Sequence, residues 1–219
     1  MMKIIFFGDS LTDGLRVRGS NDAGRVKEEY VETPNRFGSG YVFLTATQLY
    51  YEKPNFYEVL NRGIGGDRLP QIYARAGLDV WSENPDVLNI LIGANDCDRN
   101  GKNPNPTDIV RWGRIYRMLI SDTLERCPNT KIMICEPYDT RLKDYAGTDI
   151  TILDYAKEAK KIAEEFNLTF VPLQKPMEAA VEKYGMKACF YDGCHLDVVA
   201  SKALSDAWLK VFKEEVIKE

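Results

Sequence analysis

The sequence lacks several features that mark particular classes of protein. It has one histidine, His195, in 219 residues, where a chain of this length usually carries several. No stretch approaches the roughly 20 consecutive apolar residues that a membrane-spanning helix needs. Its 29 lysines and arginines are interleaved with 33 acidic residues and form no basic cluster. We therefore expect no membrane and no nucleic acid as a partner.

Cysteine is scarce and irregularly spaced. The five cysteines are an odd number and include no Cys-x-x-Cys pair, which favours reduced thiols in a cytoplasmic protein. Without such a pair, Cys189, Cys194 and His195 do not predict a metal site. The apolar run before Gly8 has only four residues, fewer than the apolar region of a secretory signal requires. The sequence leaves the oligomeric state open, a homo-oligomer included.

What the chain does contain is an alternation of short apolar runs with longer amphipathic segments. The near-continuous apolar runs are typical of parallel strands covered on both faces. The predicted strands are 3–7, 56–60, 86–92, 131–136 and 168–173. Helices are predicted near 40–52, 68–82, 107–126 and 150–166, after Pro176, and over 197–217. This alternation predicts an α/β protein with a doubly wound parallel sheet, in one domain spanning residues 1–219.

Three long loops are predicted, and each follows a strand. They cover residues 13–37, 94–106 and 137–149. Because parallel strands all end at one edge of the sheet, we expect these loops at the edge where open α/β folds bind ligands.

Ser10 lies directly after the first predicted strand, in the motif Gly-Asp-Ser-Leu-Thr-Asp-Gly of residues 8–14. A serine at a strand-to-helix turn can expose its hydroxyl as a nucleophile, although helix capping is its commoner role. The motif is not the Gly-x-Ser-x-Gly elbow, and no lysine follows Gly14 as in a Walker A loop.

The next two strands also end in distinctive turns. Asn-Arg-Gly-Ile-Gly-Gly-Asp at 61–67 contains Gly66, and Gly-Ala-Asn-Asp at 93–96 contains Asn95. Three glycines allow the backbone to approach a ligand closely, or form a plain tight turn. Asn95 is either a turn residue or a side-chain amide that points into a site.

The single histidine lies in the fourth motif, together with an aspartate. Asp192 and His195 are three residues apart on a glycine-containing turn. That spacing can place a carboxylate against one imidazole nitrogen while the other nitrogen faces a nucleophile, the arrangement of a catalytic triad. The alternative is a histidine with a structural role only. Both residues follow the last predicted strand, so they can reach the same sheet edge as Ser10.

Taken together and in this order, the four motifs resemble those of the SGNH (GDSL-type) hydrolases. The resemblance implies a flavodoxin-like three-layer α/β/α sandwich with five parallel strands. It also implies that Ser10 is the nucleophile, that His195 is general base and then acid, and that Asp192 orients His195. The implied oxyanion hole consists of the backbone N–H groups of Ser10 and Gly66 and the side-chain amide of Asn95.

The resemblance implies a serine ester hydrolase that needs no cofactor and no metal. The stretch 36–42, Arg-Phe-Gly-Ser-Gly-Tyr-Val, is similar to the family's carbohydrate acetylesterases, so the expected substrate is a carbohydrate ester or another small polar ester. A thioesterase or lysophospholipase-like acyl hydrolase is one alternative, and a flavodoxin-like binding module is another. One departure is Leu196, since the family commonly has proline after the histidine.

Aromatic residues near the predicted loops are candidates for the lining of a substrate pocket. Core packing is the alternative for each of them. These candidates are Trp112, Tyr138, Phe190 and Tyr191.

Overall fold

The centre of the molecule is a five-stranded parallel sheet in the order β2-β1-β3-β4-β5. The structure, a computed structural model, describes residues 1–17, 34–98, 101–141, 147 and 149–218. The strands are β1 (Met2–Gly8), β2 (Tyr57–Gly63), β3 (Val87–Leu91), β4 (Lys131–Cys135) and β5 (Thr169–Val171). This strand order is the flavodoxin-like one, in which ligands bind beyond the carboxyl ends of the strands.

Helices cover both faces of the sheet. They are α1 (Ser10–Asp13), α2 (Tyr41–Glu52), α3 (Leu69–Asp79), α4 (Ile109–Arg126), α5 (Ile152–Glu165), α6 (Gln174–Tyr184), α7 (Met186–Cys189) and α8 (Val198–Val211). Short 3₁₀ turns lie at Pro34–Phe37 and Trp81–Glu83, and a π-helical segment, Phe212–Ile217, continues α8. Within the described residues, none of the helices combines the length and apolar character needed to cross a membrane.

Strand β1 explains why the sheet is covered on both sides. Four consecutive apolar residues of this strand are fully buried. Ile4 and Phe6 face one hydrophobic cluster, with α2, α6 and α8, whereas Ile5 and Phe7 face the other, with α3, α4 and α5. Because successive side chains of a strand point to opposite faces, a continuous apolar run requires two cores. The predicted three-layer α/β/α sandwich is confirmed.

A buried polar chain links the core to the start of α1. The Trp208 indole donates to Asn89 Oδ1 at 2.8 Å, and Asn89 Nδ2 donates to the Tyr41 hydroxyl at 3.3 Å. The Tyr41 hydroxyl lies 3.1 Å from Thr12 Oγ1, in the turn that carries Ser10. Since buried polar groups cost free energy when unpaired, these bonds favour one arrangement of α8, β3, α2 and α1.

The three predicted loops all lie beyond the carboxyl ends of strands. Parts of them, at 18–33, 99–100, 142–146 and 148, fall outside the described residues. The described remainder of the loop at 13–37 includes Asp13, the last residue of α1, and the 3₁₀ turn at Pro34–Phe37. The departure at Leu196 does not prevent helix formation: Asp197 caps α8 by accepting the Val198 N–H at 2.6 Å.

Candidate active site

Ser10 is the first residue of α1, placed there by the abrupt end of β1. Asp9 is the N-cap, and its Oδ1 accepts the backbone N–H of Leu11 at 3.0 Å. Capping fixes the turn because it satisfies an N–H that the first helical turn leaves without a partner. Ser10 itself is half-buried, so the capping role belongs to Asp9 and the serine hydroxyl is available for another contact.

Asn61, near the carboxyl end of β2, fixes the turn that contains Ser10 through hydrogen bonds. Its Nδ2 donates to the carbonyl oxygens of Thr12 at 2.8 Å and Phe37 at 2.9 Å, and its Oδ1 accepts the Gly63 N–H at 2.9 Å. Gly63 must be glycine, because a Cβ there would lie 2.2 Å from the backbone nitrogen of Asp13. Hydrogen bonds and close backbone packing therefore fix the end of β2 against the turn that contains Ser10.

Asp192 and His195 lie on a tight turn that closes on itself. Phe190 and Leu196 form an antiparallel bridge across it, and the Tyr191 N–H donates to the His195 carbonyl at 3.2 Å. Asp192 Oδ1 accepts the backbone N–H groups of Cys194 at 2.9 Å and His195 at 2.7 Å. The aspartate thus shapes the turn with one oxygen and keeps the other for the imidazole.

Three side chains from opposite ends of the chain meet at this edge of the sheet. Asp192 Oδ2 lies 2.6 Å from His195 Nδ1, and His195 Nε2 lies 3.0 Å from Ser10 Oγ. Both distances are those of hydrogen bonds. The arrangement allows the imidazole to accept the serine proton at Nε2 while its Nδ1–H is held by a carboxylate.

The electrostatics of the turn keep that carboxylate charged. Burial opposes ionisation of Asp192, but hydrogen bonds from the His195 backbone, the His195 ring and the Cys194 N–H outweigh it and lower its pKa to about 2. An ionised Asp192 stabilises the tautomer with a proton on Nδ1, and it stabilises an imidazolium when one forms.

Tyr191 packs face to face on His195. The ring centroids are 5.6 Å apart with an interplanar angle of 14°, while 58% of the tyrosine remains exposed. The stack limits the orientations that the imidazole can adopt.

Gly66 and Asn95 lie on the turns after β2 and β3. Gly66 has φ +84°, the left-handed region that favours glycine, and it is exposed. Asn95 Nδ2 donates to the Asp67 carbonyl at 3.0 Å, so the two turns are in direct contact. The glycine turn also passes beside the serine, since a Cβ at Gly65 would lie 3.8 Å from Ser10 Cβ.

Asp96 fixes these two turns relative to each other. It is fully buried, and its carboxylate accepts the backbone N–H of Leu69, the first residue of α3, at 3.1 and 3.2 Å. Burial raises its pKa to about 6, although hydrogen bonds from Thr107 and Leu69 favour the charged form. One side chain therefore ties the loop that carries Asn95 to the helix that follows Gly66.

Two cavities open near these groups. The first, which we call the triad cavity, has a volume of about 200 Å³ and is lined by Ser10, Leu11, Asp13, Gly14, Leu15, Ser39, Gly40, Gly65, Tyr191, His195 and Leu196. The second, the amide cavity, has about 370 Å³ and is lined by Gly66, Arg68, Ala94, Asn95, Cys97, Lys102, Asn103, Pro104 and Asn105. Among the residues predicted from sequence, Ser10 and His195 line the triad cavity, whereas Gly66 and Asn95 line the amide cavity.

Of the four aromatic candidates for the lining, Tyr191 lines the triad cavity, and the other three line neither of these two cavities. Trp112 is fully buried in α4, where its ring packs edge-on against Tyr116 at 5.0 Å and Tyr155 at 5.3 Å. Tyr138 and Phe190 are also core residues. Their positions next to predicted loops did not distinguish lining from packing.

The sequence pattern did not predict a site role for Arg68 or for Asp96. Arg68 adjoins the glycine-rich motif, but an isolated arginine before a predicted helix carries no signal of its own. No group of three or more His, Cys, Asp or Glu side chains in the described part of the chain is arranged to hold a metal ion.

Comparisons with known proteins agree with this geometry. The model of the GDSL-like Lipase/Acylhydrolase family matches residues 6–198. An acetylxylan esterase from Geobacillus stearothermophilus is 28% identical over 215 residues, which cover 95% of this chain and 92% of the relative. The crystal structure of a GDSL-like lipase from Parabacteroides merdae has 34% identity and a TM-score of 0.84, over 96% of this chain and 94% of that one.

A further similar structure is that of Axe2, an acetylxylan esterase from Geobacillus stearothermophilus, with 26% identity and a TM-score of 0.78 over 96% of this chain and 93% of Axe2. Axe2 has also been solved as catalytic mutants in which a serine, an aspartate or a histidine is replaced by alanine. Its aspartate and histidine are three positions apart, as Asp192 and His195 are here.

Proposed function

The chain belongs to the GDSL-like lipase/acylhydrolase family and is a carboxylic ester hydrolase, and from this premise we propose that it works through an acyl-enzyme on Ser10. The observation that carries the proposal is the continuous hydrogen-bonded path from Ser10 Oγ through His195 to Asp192, at 3.0 and 2.6 Å. A serine hydroxyl is a weak nucleophile until an adjacent base removes its proton. His195 is the only imidazole that the chain has for this purpose.

The proposed reaction has two halves. Ser10 Oγ attacks the ester carbonyl carbon while His195 Nε2 takes the serine proton, and a tetrahedral intermediate forms. His195 then gives that proton to the leaving alcohol oxygen as the carbon–oxygen bond breaks, which leaves the acyl group on Ser10. A water molecule repeats the sequence, with its proton passing to His195, and releases the acid and the free serine.

We assign the oxyanion of the intermediate to the backbone N–H groups of Ser10 and Gly66 and to the Asn95 amide. Exposure of Gly66 and the position of Asn95 on the neighbouring turn support this assignment. Asn95 Nδ2 carries two protons, and its bond to the Asp67 carbonyl uses one of them and orients the other. Donors fixed in this way stabilise developing charge without reorganising during the reaction.

The proposed substrate is an acetyl ester of a carbohydrate or another small polar alcohol. The acetylxylan esterase from Geobacillus stearothermophilus found by sequence, and the structure of Axe2 from the same organism, support this choice. The amide cavity supports it as well, because asparagine, arginine and lysine side chains line it and, among the described residues, no large apolar side chain does. A lipase-like site needs a contiguous apolar surface for a long acyl chain.

We also infer that residues 1–219 form one catalytic domain that acts without a cofactor. The family match ends at residue 198, yet α8, which continues to Val211, packs into the same hydrophobic cluster as α2 and α6.

Two measurements on purified protein test the proposal. A fluorophosphonate should attach to Ser10 in the wild type and not in Ser10→Ala, as seen in the mass of the peptide that contains residue 10. A series of p-nitrophenyl esters should give the highest kcat/KM with acetyl and a falling value as the chain lengthens. A maximum at eight carbons or longer would contradict the substrate proposal and favour a lysophospholipase-like activity.

A further inference from the structure

The amide cavity is too large for the acyl group of an acetyl ester. Its volume is about 370 Å³, whereas an acetyl group adds a single methyl beyond the carbonyl carbon. Gly66 and Asn95, the proposed oxyanion donors, form part of its wall. A substrate held at Ser10 therefore has room to place a further group in this cavity.

The charged side chains that line the amide cavity, among the residues that the structure describes, all have one sign. Arg68 and Lys102 line it, and no described acidic side chain does. Asp98, on the same loop as Lys102, accepts the backbone N–H of Asn103 and is not on the wall. Within the described residues, neither Arg68 nor Lys102 forms an ion pair with a carboxylate. Asp96 is near enough to Arg68 for the cation to lower its pKa, but it is buried and does not line the cavity. Two cations on one wall favour the binding of an anion.

Arg68 is also held in place. Its Nε donates to Gln71 Oε1 at 3.1 Å, and its Nη1 donates to the Asn105 carbonyl. In the described part of the chain, Nη2 makes no hydrogen bond. A guanidinium fixed by two of its nitrogens loses little side-chain entropy when the third binds a ligand.

The triad cavity has no such pair of cations. Asp13 on its wall is paired with Arg16 at 3.4 Å, and no lysine or arginine among the described residues lines this cavity. An anionic group is therefore favoured next to Gly66 and Asn95 rather than next to His195. The two cavities together give a substrate one defined orientation at Ser10.

We propose that the amide cavity binds a carboxylate carried by the substrate, with Arg68 and Lys102 as specificity-determining residues. This inference rests on the proposed function of Ser10 and narrows its substrate class. The carboxylate belongs either to the alcohol part, as in an acetylated uronic acid, or to the acyl part, as in a dicarboxylic half-ester. A hydrogen bond between charged groups contributes about 1.5–3 kcal/mol, which corresponds to a roughly 10- to 100-fold increase in affinity.

Two matched pairs of substrates test the proposal and separate the two sources. The first pair is an acetylated methyl glucuronide and the acetylated methyl glucoside with the same acetyl positions. The second pair is the monoethyl ester of glutaric acid and ethyl valerate. For the wild type we expect kcat/KM to be at least 10-fold higher for the charged member of one pair, and that pair identifies which part of the substrate carries the carboxylate.

Variants then test the assigned residues. Arg68→Gln should lower the charged-to-neutral ratio of kcat/KM by about 10-fold or more, and Lys102→Gln by about 3-fold. The control, Lys160→Gln, removes an equal charge from the exposed surface of α5 and should leave the ratio as in the wild type. Raising the salt concentration should lower the ratio in the wild type, because salt screens exposed charges.

The outcome that overturns this inference is a wild-type ratio near one for both pairs, or a ratio that neither Arg68→Gln nor Lys102→Gln changes. Either result leaves the proposed function standing, provided that the neutral acetyl ester is still hydrolysed and Ser10→Ala is inactive. Activity that persists in Ser10→Ala would instead contradict the proposed function itself.

Discussion

The two sides of Ser10 are built in different ways. On one side, Asp192 and His195 lie on a short turn with 44% and 35% of their side chains exposed, held mainly by bonds within that turn. On the other side, Asn95 depends on Asp96, which is fully buried and joins the ends of distant elements. A proton relay must exchange protons with water, whereas an oxyanion hole works best when its dipoles are fixed. The exposed turn and the buried anchor suit these two tasks.

The largest effect should come from breaking the relay itself. Ser10→Ala and His195→Ala should each lower kcat for an acetyl ester by at least about 10⁴-fold, because the nucleophile or its base is lost. The double variant should be hardly worse than either single one, since the two groups act as a unit. Circular dichroism should show that all three variants stay folded. Most of the activity surviving in a folded Ser10→Ala would rule out the mechanism.

Changing the aspartate should have the next largest effect. Asp192→Asn should lower kcat by up to about 10⁴-fold, because an amide can favour the wrong imidazole tautomer and cannot stabilise the imidazolium. The carboxylate, with its pKa of about 2, stays ionised throughout the range in which the enzyme is assayed, so kcat of the wild type should not fall through protonation of Asp192 between pH 6 and pH 9. Near-normal kcat in a folded Asp192→Asn would assign Asp192 another role.

Replacing the proposed oxyanion donor Asn95 should lower kcat by a smaller factor and should leave KM almost unchanged. Asn95→Ala should lower kcat by roughly 10²–10³-fold with little change in KM, since an oxyanion donor acts mainly on the intermediate. Asn103→Ala is the matched control, because it removes a bond to the Asn95 carbonyl but no oxyanion donor. If Asn95→Ala raises KM and leaves kcat unchanged, Asn95 binds the ground state instead.

The smallest effect should appear in stability rather than in catalysis. Asp96 has a pKa of about 6 in the folded chain, against about 3.9 in an unfolded one. Between these values the unfolded chain loses the proton while the folded chain keeps it, so the free energy of unfolding falls as the pH rises. The fall amounts to about 3 kcal/mol for this group.

In Asp96→Asn the side chain at this position does not titrate, so it makes no contribution to the pH dependence of stability. Compared with the variant, the wild type should therefore lose about 3 kcal/mol of stability between about pH 4 and about pH 7. Urea denaturation of both proteins at the two pH values measures the difference. A constant difference would show that Asp96 titrates at its ordinary pKa.

The sequence predicted the fold well because the apolar runs of the strands are nearly continuous. All five strands and the main helices were found, but β2 was predicted to end at Leu60, whereas it continues to Gly63. Asn61 and Arg62 are polar and interrupt the apolar run from which the strand was predicted. The strand continues through them because β1 pairs with it up to the contact of Gly8 with Gly63. Pairing of this kind is not visible in a local pattern.

The candidate site was predictable only in part. Ser10, Asp192 and His195 could be grouped because each has chemistry of its own and follows a strand. The aromatic candidates could not be resolved, since Trp112 has the helical spacing to Tyr116 of an ordinary core residue. Arg68 and Lys102 gave no signal, because only the folded arrangement brings them to the wall of one cavity.

The distance along the chain between Ser10 and His195 has a consequence for biosynthesis. The two residues in contact are separated by 185 positions, and α8, whose Trp208 bonds to Asn89, begins just after the histidine. His195 must therefore have left the ribosome before its contact with Ser10 can form. Chains that stop before residue 195 carry the serine without the histidine, and we expect them to lack esterase activity.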